Sequence, residues 1–262
     1  MANASLKAVI LAAGKGTRMK QLTAEMPKPM LTVAGKPVLE HIVRGLREAG
    51  VREFCIITGY HADVVEDYFG NGDKVDVRIE YARQVIQDGT GKAPELAKSF
   101  VGEADFFLMY GDILVEPTNY EHMISAFLKS GAAGLITVKK GEDVTKGAAV
   151  TFDDTFHMID LIEKPASGVV SSPWYNAGVY IFRPIIFEYT ATLNKSPRGE
   201  YELPDALRAM TAAGHRIKGL ELSGYWIDVR DPEMLATAQS LFAKKKKDSG
   251  VARQGGGGGE PR

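Results

Sequence analysis

The chain contains 262 residues, 45% of them hydrophobic and 25% charged, and its formal net charge is -1. These values are typical of a globular protein with one full-sized core, and the low net charge excludes a general attraction to nucleic acid or anionic membrane. The single cysteine, Cys55, excludes an intramolecular disulfide and a cysteine-rich zinc site. No stretch approaches the ~20 apolar residues of a membrane span, and the first apolar run is typical of a strand rather than a signal peptide, so we expect a cytoplasmic protein.

The first segment with a chemical signature, residues 7–30, joins a buried strand to a glycine-rich turn. Residues 8–13 form a continuous apolar run, which is typical of a strand buried on both faces. Residues 14–18, Gly-Lys-Gly-Thr-Arg, follow directly, and Lys28 stands between two prolines. Because a phosphate can approach glycine N–H groups closely and the arginine and lysine can neutralise it, the segment predicts an anion site. A tight turn with solvated charges is the alternative, and the spacing matches neither a P-loop nor the dinucleotide fingerprint.

The remainder of the first half alternates between amphipathic helices and short apolar strands. Such alternation predicts a parallel sheet that is covered by helices on both faces. A polar loop with two glycines, residues 84–92, interrupts the pattern. We predict strands at residues 53–58, 75–82 and 106–110, and helices that begin at residue 38 and end before Gly50, cover residues 62–69, and end near residue 100.

The second half contains strands with hairpin-like connections, which predicts antiparallel strands that complete a mixed sheet and shape one side of a cleft. The last segment, residues 244–262, combines a lysine run with five consecutive glycines and is predicted to be a disordered tail. No aromatic residue interrupts the lysines, so we interpret them as a solvated helix end rather than a nucleic-acid or membrane patch. The predicted strands are 135–139, 148–152, 158–163, 177–182, 217–222 and 225–229, and the predicted helices are 184–192, 203–213 and 232–242.

Two acids follow apolar strands at the predicted edge of the sheet. Asp112 comes after Gly111 at the end of one strand, and Asp228 closes another strand late in the chain. In an open parallel sheet, ligands bind outside the carboxyl ends of the strands. Two carboxylates together with substrate phosphates are what a Mg²⁺-like cation requires, so the pair predicts a metal site. A turn or helix-capping role is the alternative for Asp112 taken alone.

Taken in order, these motifs resemble the sugar-1-phosphate nucleotidylyltransferases over residues 7–242. The specific part of the resemblance is Gly14-x-Gly16-Thr17-Arg18, followed by Leu22-Thr23 and then by Pro27-Lys28-Pro29-Met30. Supporting segments follow in the family's order: residues 84–89, Gly111-Asp112, Gly147, Glu163-Lys164-Pro165, Asn176-Ala177-Gly178, residues 199–205 and Trp226-x-Asp228.

The resemblance implies an α/β protein with a three-layer, Rossmann-like nucleotidyltransferase (GT-A-like) fold and a mixed, mostly parallel central sheet. A single domain would cover residues 1–243, with a nucleotide-binding half at 6–112 and a sugar-binding half at 113–243. The implied reaction is the Mg²⁺-dependent transfer of a nucleoside monophosphate from a pyrimidine triphosphate, UTP or dTTP, to a hexose 1-phosphate by in-line attack. The implied partners are a nucleoside triphosphate and a sugar 1-phosphate, with no nucleic acid or membrane. Whether the protein forms a homo-oligomer is left open.

The resemblance also carries the family's site roles onto matching positions of this chain. Three cations would be catalytic: Arg18 on the β and γ phosphates, Lys28 on the reacting α-phosphate and Lys164 on the sugar phosphate. Asp112 and Asp228 would hold Mg²⁺. The residues implied to bind the nucleotide are Leu11, Ala13, Gly14, Gly16, Thr17, Gln84, Gly89 and Thr90, and those implied to bind the sugar are Gly147, Glu163 and Asn176.

Four residues depart from the family pattern. Gln21 stands where a proline is common, Lys92 where a small residue is usual, and Arg230-Asp231 where many members have Gly-Thr. Arg230 would either add a phosphate contact or cap the last helix. Two other functions stay open: a cytidylyltransferase that acts on a sugar phosphate or phosphocholine, and a non-catalytic paralogue that binds nucleotide sugars.

Overall fold

The computed structural model of the chain describes residues 6–254, and that part contains thirteen strands and seven α-helices. None of these helices is long and apolar enough to cross a membrane. The strands are β1 (Lys7–Leu11), β2 (Thr32–Val33), β3 (Lys36–Pro37), β4 (Glu53–Thr58), β5 (Arg78–Arg83), β6 (Phe106–Tyr110), β7 (Ile113–Val115), β8 (Gly134–Lys139), β9 (Ala148–Phe152), β10 (Met158–Glu163), β11 (Tyr175–Phe182), β12 (Ile217–Glu221) and β13 (Trp226–Asp228). The α-helices are α1 (Val38–Glu48), α2 (Ala62–Phe69), α3 (Lys98–Val101), α4 (Thr118–Ser130), α5 (Ile186–Ala191), α6 (Leu203–Ala212) and α7 (Pro232–Gln254).

Nine of these strands form one mixed sheet. Strand β1 lies between β4 and β6 and pairs in parallel with both. Val9 is opposite Cys55 on one side and Leu108 on the other. β5 extends this parallel part beyond β4, whereas β11 pairs with β6 in the antiparallel sense. β8, β9 and β10 continue the antiparallel part, and β12 pairs in parallel with β8. The predicted mixed sheet, with its parallel strands in the first half of the chain, is confirmed.

Two hydrophobic cores, one on each face of the sheet, hold the helices in place. Strand β1 shows the division, because Ala8 and Ile10 belong to one core and Val9 to the other, and all three are fully buried. Helices α1, α2, α4 and the start of α7 pack on the first face, and α3, α5 and α6 on the second. A strand buried on both faces has no polar face, which explains the continuous apolar run of residues 8–13. The predicted three layers are therefore confirmed.

Helix α4 was not predicted from the sequence, although the chain carries a signal for it. Tyr120, Met123 and Phe127 recur at helical spacing and are buried. Pro117 precedes the helix, and Gly131 follows its end in the left-handed conformation, at φ 62°. The polar residues between the three apolar ones weaken the pattern, and packing against β8, β11 and β12 stabilises the helix in the folded chain.

The strand predicted at residues 75–82 begins later than expected, at Arg78. The chain first makes a 3₁₀ turn at Asp73–Val75, and Gly72 and Asp76 on either side of it have φ of 97° and 56°. These left-handed conformations cannot belong to a strand, so β5 starts only after them.

The last helix is longer than predicted. Helix α7 ends at Gln254 rather than near residue 242, so residues 244–254 do not form the predicted disordered tail. Alanine and lysine, which dominate its middle, favour helix, and no proline interrupts the segment. The rest of the predicted tail, residues 255–262, lies outside the described residues.

The lysine run near the end of α7 is not wholly solvated either. The ammonium of Lys245 pairs with Glu116 and lies 4.4 Å from the centre of the Tyr225 ring. Each such contact of a partly exposed lysine contributes roughly 1 kcal/mol or less. They tie this turn of α7 to the loop that precedes α4.

Candidate active site

A cleft of about 460 Å³ opens where β1, β5 and β6 end. This edge is the carboxyl edge of the parallel strands, where ligands bind in such folds. The chain after β1 supplies the glycine turn, defined as residues 14–18, and the chain after β5 supplies the 84–92 loop. Of the predicted site residues, the structure brings together here Leu11, Ala13, Gly14, Gly16, Thr17, Arg18, Lys28, Gln84, Gly89, Thr90 and Asp112.

The glycine turn owes its shape to Gly16, which adopts the left-handed conformation at φ 61°. The Thr23 hydroxyl donates a hydrogen bond to the Gly16 carbonyl oxygen at 3.1 Å and closes the turn. A Cβ atom at position 16 would lie 3.0 Å from the Cβ atom of Lys28. Glycine therefore serves twice here, because it adopts the positive φ and lets the turn lie close to Lys28.

Lys28 contacts both acids that were predicted to hold a metal. Its ammonium forms an ion pair with Asp112 and lies 4.0 Å from Asp228 Oδ1. The three side chains are largely buried, since 12% of the lysine and 22% of each acid is exposed. Charges interact more strongly where water is partly excluded, so this group forms the electrostatic centre of the site.

Burial raises the pKa of Asp228 to about 6, and the charge of Asp112 adds to the rise. Lys28, Arg230 and Arg18 act in the opposite direction without cancelling it. Two neighbouring carboxylates repel each other when both are ionised, and a further cation would relieve that repulsion. Two such carboxylates are the type of ligand that a divalent cation accepts. Residues 6–254 contain no group of three or more His, Cys, Asp or Glu side chains that could hold a metal.

A two-stranded ladder outside the main sheet brings the two acids together. β7 begins directly after Asp112, and β13 pairs with it in the antiparallel sense, with Asp228 opposite Ile113. The Trp226 indole donates a hydrogen bond to the Ala177 carbonyl oxygen at 2.9 Å, which attaches β13 to β11 of the main sheet. The acids are distant in sequence, so the register of this ladder is what makes them neighbours.

The 84–92 loop docks on the segment that precedes α6. The Tyr201 N–H donates to the Asp88 carbonyl oxygen at 2.7 Å, and the Gly91 N–H donates to the Tyr201 carbonyl oxygen at 2.8 Å. Gly89 lies between them at φ 119°, and a Cβ atom there would overlap the backbone of Tyr201. The loop predicted to bind the nucleotide is therefore held in place by the second half of the chain.

Two glutamines of the same loop line the cleft. Gln84 donates its side-chain N–H to the Gly89 carbonyl oxygen at 3.3 Å. Gln87, which was not predicted as a site residue, donates to the Ala13 carbonyl oxygen at 2.7 Å. Each amide offers donors and an acceptor, which suits contacts with the edge of a base.

The predicted sugar-side residues form a second cluster outside the wall of this cleft. Lys164 donates its backbone N–H to the Gly147 carbonyl oxygen at 2.5 Å. Asn176 donates to the Tyr180 hydroxyl at 2.7 Å, and the Tyr180 ring contacts Tyr110, which does line the cleft. The predicted residues that the cleft wall does not include are Gly147, Glu163, Lys164, Asn176 and Asp228, the last of which lies beside Lys28.

Glu163 is held by an arginine that was not predicted as a site residue. Arg198 Nη2 lies 3.4 Å from Glu163 Oε1 and 2.7 Å from Glu202 Oε1. Burial raises the pKa of Glu163, and the charge of Arg198 opposes the rise. Glu202, at the start of α6, is itself buried. Arg198 thus bridges two carboxylates that come from different segments, an arrangement without a local sequence signal.

The cleft wall also includes residues that sequence reasoning did not assign to the site. Ala12 and Pro29 are neighbours of predicted site residues in the sequence, so the motifs that contain them could have indicated their position. Arg230 was noticed as a departure from the family pattern, with two roles left open. The residues concerned are Ala12, Pro29, Gln87, Ala93, Tyr110, Glu200 and Arg230.

Comparison with protein families gives one match across nearly all of the described chain. The family model for nucleotidyl transferase matches residues 7–245. The chain is also 35% identical over 245 residues to the bifunctional protein GlmU of Methanococcus maripaludis, an alignment that covers 92% of this chain and 55% of that protein. It therefore spans about half the length of the curated relatives that it matches first.

Two other proteins resemble this chain over most of its length and most of their own. The chain is 30% identical over 235 residues to UTP–glucose-1-phosphate uridylyltransferase 2 of Staphylococcus saprophyticus, covering 79% of this chain and 81% of that protein. A crystal structure of a Bacillus anthracis protein assigned as a glucose-1-phosphate thymidylyltransferase superimposes with a TM-score of 0.83 at 26% identity. That superposition covers 90% of this chain and 95% of the other.

Proposed function

Because the chain belongs to the nucleotidyl transferase family, we propose that it transfers a nucleoside monophosphate from UTP or dTTP to a hexose 1-phosphate. A phosphate oxygen of the sugar 1-phosphate attacks the α-phosphorus of the triphosphate. The bond between the α-phosphorus and the bridging oxygen breaks, and pyrophosphate leaves with the bonding electrons. The names of the uridylyltransferase and thymidylyltransferase relatives support this substrate class.

The position of Lys28 is the observation that carries the proposal. Its side chain adjoins the glycine turn and pairs with Asp112, so a phosphate held by the turn would meet its ammonium. Both substrates are polyanions, and the protein must offset their repulsion while it holds the attacking and leaving oxygens in line. Arg18 and Lys28 would supply positive charge at the pyrophosphate and the α-phosphate as the bond breaks. No covalent enzyme intermediate is needed.

The 84–92 loop would select the base. The Gln84 amide and the backbone of Gly89 would hydrogen-bond the edge of a pyrimidine. Gln87, which also lines the cleft and donates to the Ala13 carbonyl oxygen, would lie near the base. A site that hydrogen-bonds the edge of one base rejects a base with a different pattern of donors and acceptors. Binding the wrong base would leave polar groups of the site unpaired.

The donor set beside Lys28 fits Mg²⁺. Asp112 and Asp228 offer hard carboxylate oxygens, and burial together with their mutual repulsion raises the pKa of Asp228. Mg²⁺ in proteins is commonly bound by one or two carboxylates, with substrate phosphates as further ligands. When bound, the ion would neutralise phosphate oxygens and reduce the repulsion between the two substrates. Lys28 supplies the chain's own counter-charge to these acids.

The second cluster would bind the hexose 1-phosphate. Glu163 would accept hydrogen bonds from sugar hydroxyls, with Gly147 and Asn176 beside it, and the Lys164 ammonium would neutralise the attacking phosphate. Lys164 has φ of 44°, a left-handed conformation that non-glycine residues rarely adopt and that is concentrated at functional sites. This backbone conformation supports a functional role for the segment.

The test is a matrix of UTP, dTTP, CTP, ATP and GTP against hexose 1-phosphates and phosphocholine, with release of pyrophosphate measured. Release with UTP or dTTP and a hexose 1-phosphate is the expected result, and a chelator should abolish it. Release confined to CTP would contradict the proposal in favour of a cytidylyltransferase. Absence of release in every combination, with binding of a nucleotide sugar retained, would favour a non-catalytic paralogue.

A further inference from the structure

Arg230 stands at the point where the chain leaves β13 for α7. Its backbone N–H donates to the Asp228 carbonyl oxygen at 2.8 Å, in a tight turn directly after the end of β13, which carries one of the two proposed metal ligands. Its side chain lines the cleft together with the glycine turn and Lys28, and 24% of it is exposed. An arginine at this turn therefore reaches the space assigned to the nucleotide's phosphates.

The helix cap belongs to the next residue and not to Arg230. Asp231 accepts the Met234 N–H on its Oδ1 at 2.9 Å, and its carbonyl oxygen accepts the Leu235 N–H at 3.1 Å. These bonds satisfy the first turn of α7 without the arginine side chain. Of the two roles that the sequence left open for Arg230, capping is therefore excluded.

The Arg230 guanidinium keeps most of its donors available. Its ion pair within residues 6–254 is with Asp231, where Nε lies 3.6 Å from Oδ2, too far for a strong hydrogen bond. No hydrogen bond from the guanidinium is found in the described part of the chain. A guanidinium offers five N–H donors in a planar fork that matches the oxygens of a phosphate group.

Arg230 is one of three cations in the cleft wall, with Arg18 and Lys28. The acids in the wall or beside these cations are Asp112, Glu200, Asp228 and Asp231. Removal of Arg230 would therefore leave two cations among four carboxylates and make the local charge less favourable to a polyanion. Positive local charge favours the binding of a triphosphate, so Arg230 contributes in the required direction.

We propose that Arg230 binds the triphosphate of the nucleotide, as a third cation beside Arg18 and Lys28. The proposal rests on the function proposed above. Arg230 shares the cleft wall with the glycine turn, whereas Glu163, Lys164 and the rest of the second cluster are not part of that wall. The ligand is therefore the triphosphate and the pyrophosphate formed from it, rather than the phosphate of the sugar.

The experiment compares Arg230→Gln and Arg230→Lys with a control, Arg208→Gln. Arg208 is 51% exposed on α6, where it pairs with Asp160 at 2.9 Å. Binding of inorganic pyrophosphate is measured by calorimetry with and without Mg²⁺, which requires no turnover. Steady-state kinetics give kcat and the KM values for both substrates, and thermal unfolding verifies that each variant is folded.

Arg230→Gln should weaken pyrophosphate binding and raise the KM for the triphosphate by ~10-fold each, the usual effect of losing hydrogen bonds to a charged group. The KM for the sugar 1-phosphate should stay within ~2-fold, because it binds in the other cluster. Arg230→Lys should restore part of the loss, and Arg208→Gln should behave as the wild type.

Unchanged pyrophosphate affinity in Arg230→Gln, or a rise confined to the KM for the sugar 1-phosphate, would overturn the proposal. If the wild-type protein releases no pyrophosphate with any substrate pair, the proposed function fails. The calorimetric comparison still decides the role of Arg230 in that case. The two failures are thus distinguishable.

Discussion

Lys28 and Asp112 form an ion pair between two segments that are far apart in the sequence. The lysine belongs to a 3₁₀ turn at Lys28–Met30, and the acid follows β6. The same ammonium lies 4.0 Å from Asp228, so one cation serves two acids that would otherwise repel each other. In this way the chain keeps the two carboxylates together with a residue that is itself assigned to the reaction.

Asp112→Asn should lower turnover by ~100-fold or more while the protein stays folded, because the site loses one of its two proposed Mg²⁺ ligands. Pyrophosphate release measures turnover, and thermal unfolding measures folding. Asp63→Asn is the control, since Asp63 is 80% exposed on α2 and pairs with Arg83 at the surface. Near-normal turnover of Asp112→Asn would refute the assigned mechanism.

Asp228→Asn should stabilise the metal-free protein at neutral pH. The folded-state pKa of about 6 lies above the ordinary value of 3.8, so the folded chain holds a proton that the unfolded chain releases at lower pH. The stability from this proton is fully present below about pH 4 and is lost as the pH rises through about 6. Asparagine does not ionise, so the variant should gain about 1–2 kcal/mol of unfolding free energy near pH 7.5, after allowance for partial exposure and the weakened contact with Lys28.

Urea unfolding of both proteins in a chelator at pH 4.5 and pH 7.5 measures this gain, which should be about a third as large at the lower pH. A gain of equal size at both values would show that ionisation is not its cause. The same substitution should abolish turnover, since it removes one of the two proposed metal ligands.

Gly89→Ala should raise the KM for the nucleoside triphosphate by ~10-fold or more, because a Cβ atom there would displace the 84–92 loop from Tyr201. Steady-state kinetics at saturating sugar 1-phosphate provide the measurement. Gly131→Ala is a matched control, because Gly131 also has a positive φ, of 62°, but a Cβ there meets open space. Gly131→Ala should lose about 1 kcal/mol of stability because of its positive φ, and Gly89→Ala should lose more because of the overlap with Tyr201. Equal KM values in the two variants would contradict the proposed role of the loop.

Glu163→Gln should raise the KM for the sugar 1-phosphate by ~10-fold, because the carboxylate accepts hydrogen bonds more strongly than an amide does. The KM for the triphosphate should change little, since Glu163 does not line the nucleotide cleft. Glu221→Gln, on an exposed strand end, is the control. A rise in the KM for the triphosphate instead would contradict the proposed contact between Glu163 and the sugar.

Strands β4 and β6 of the first half could be predicted well because they are buried on both faces. Residues 53–58 and 106–110 were predicted with the bounds that β4 and β6 have in the structure. Such strands are short apolar runs between polar turns, so their ends are visible in sequence. Helix α4 and the length of α7 were not predicted, since their stability depends on tertiary packing or on a long polar surface.

The grouping of most cleft residues could be predicted because they sit in contiguous motifs at strand ends. The contact of Gly89 with Tyr201 and the bridge from Glu163 through Arg198 to Glu202 could not. Each joins segments that meet only after the sheet has formed, and the side chains involved have no characteristic spacing. The family resemblance indicated which residues to expect at the site, whereas these contacts between distant segments are visible only in the folded structure.

In β7 and β13, the number of residues matters more than their identity, because the number decides where Asp228 lies relative to Asp112. The ladder pairs three residues with three, and side chains alternate between its faces, so one inserted or deleted residue in β13 would turn Asp228 away from Asp112. Residues 116–225 lie between the two strands, so the pairing of β7 with β13 brings the two ends of this segment together. Loops within this segment can lengthen or shorten during evolution, and with them the proposed sugar side of the site, without changing the pairing that holds the two acids together.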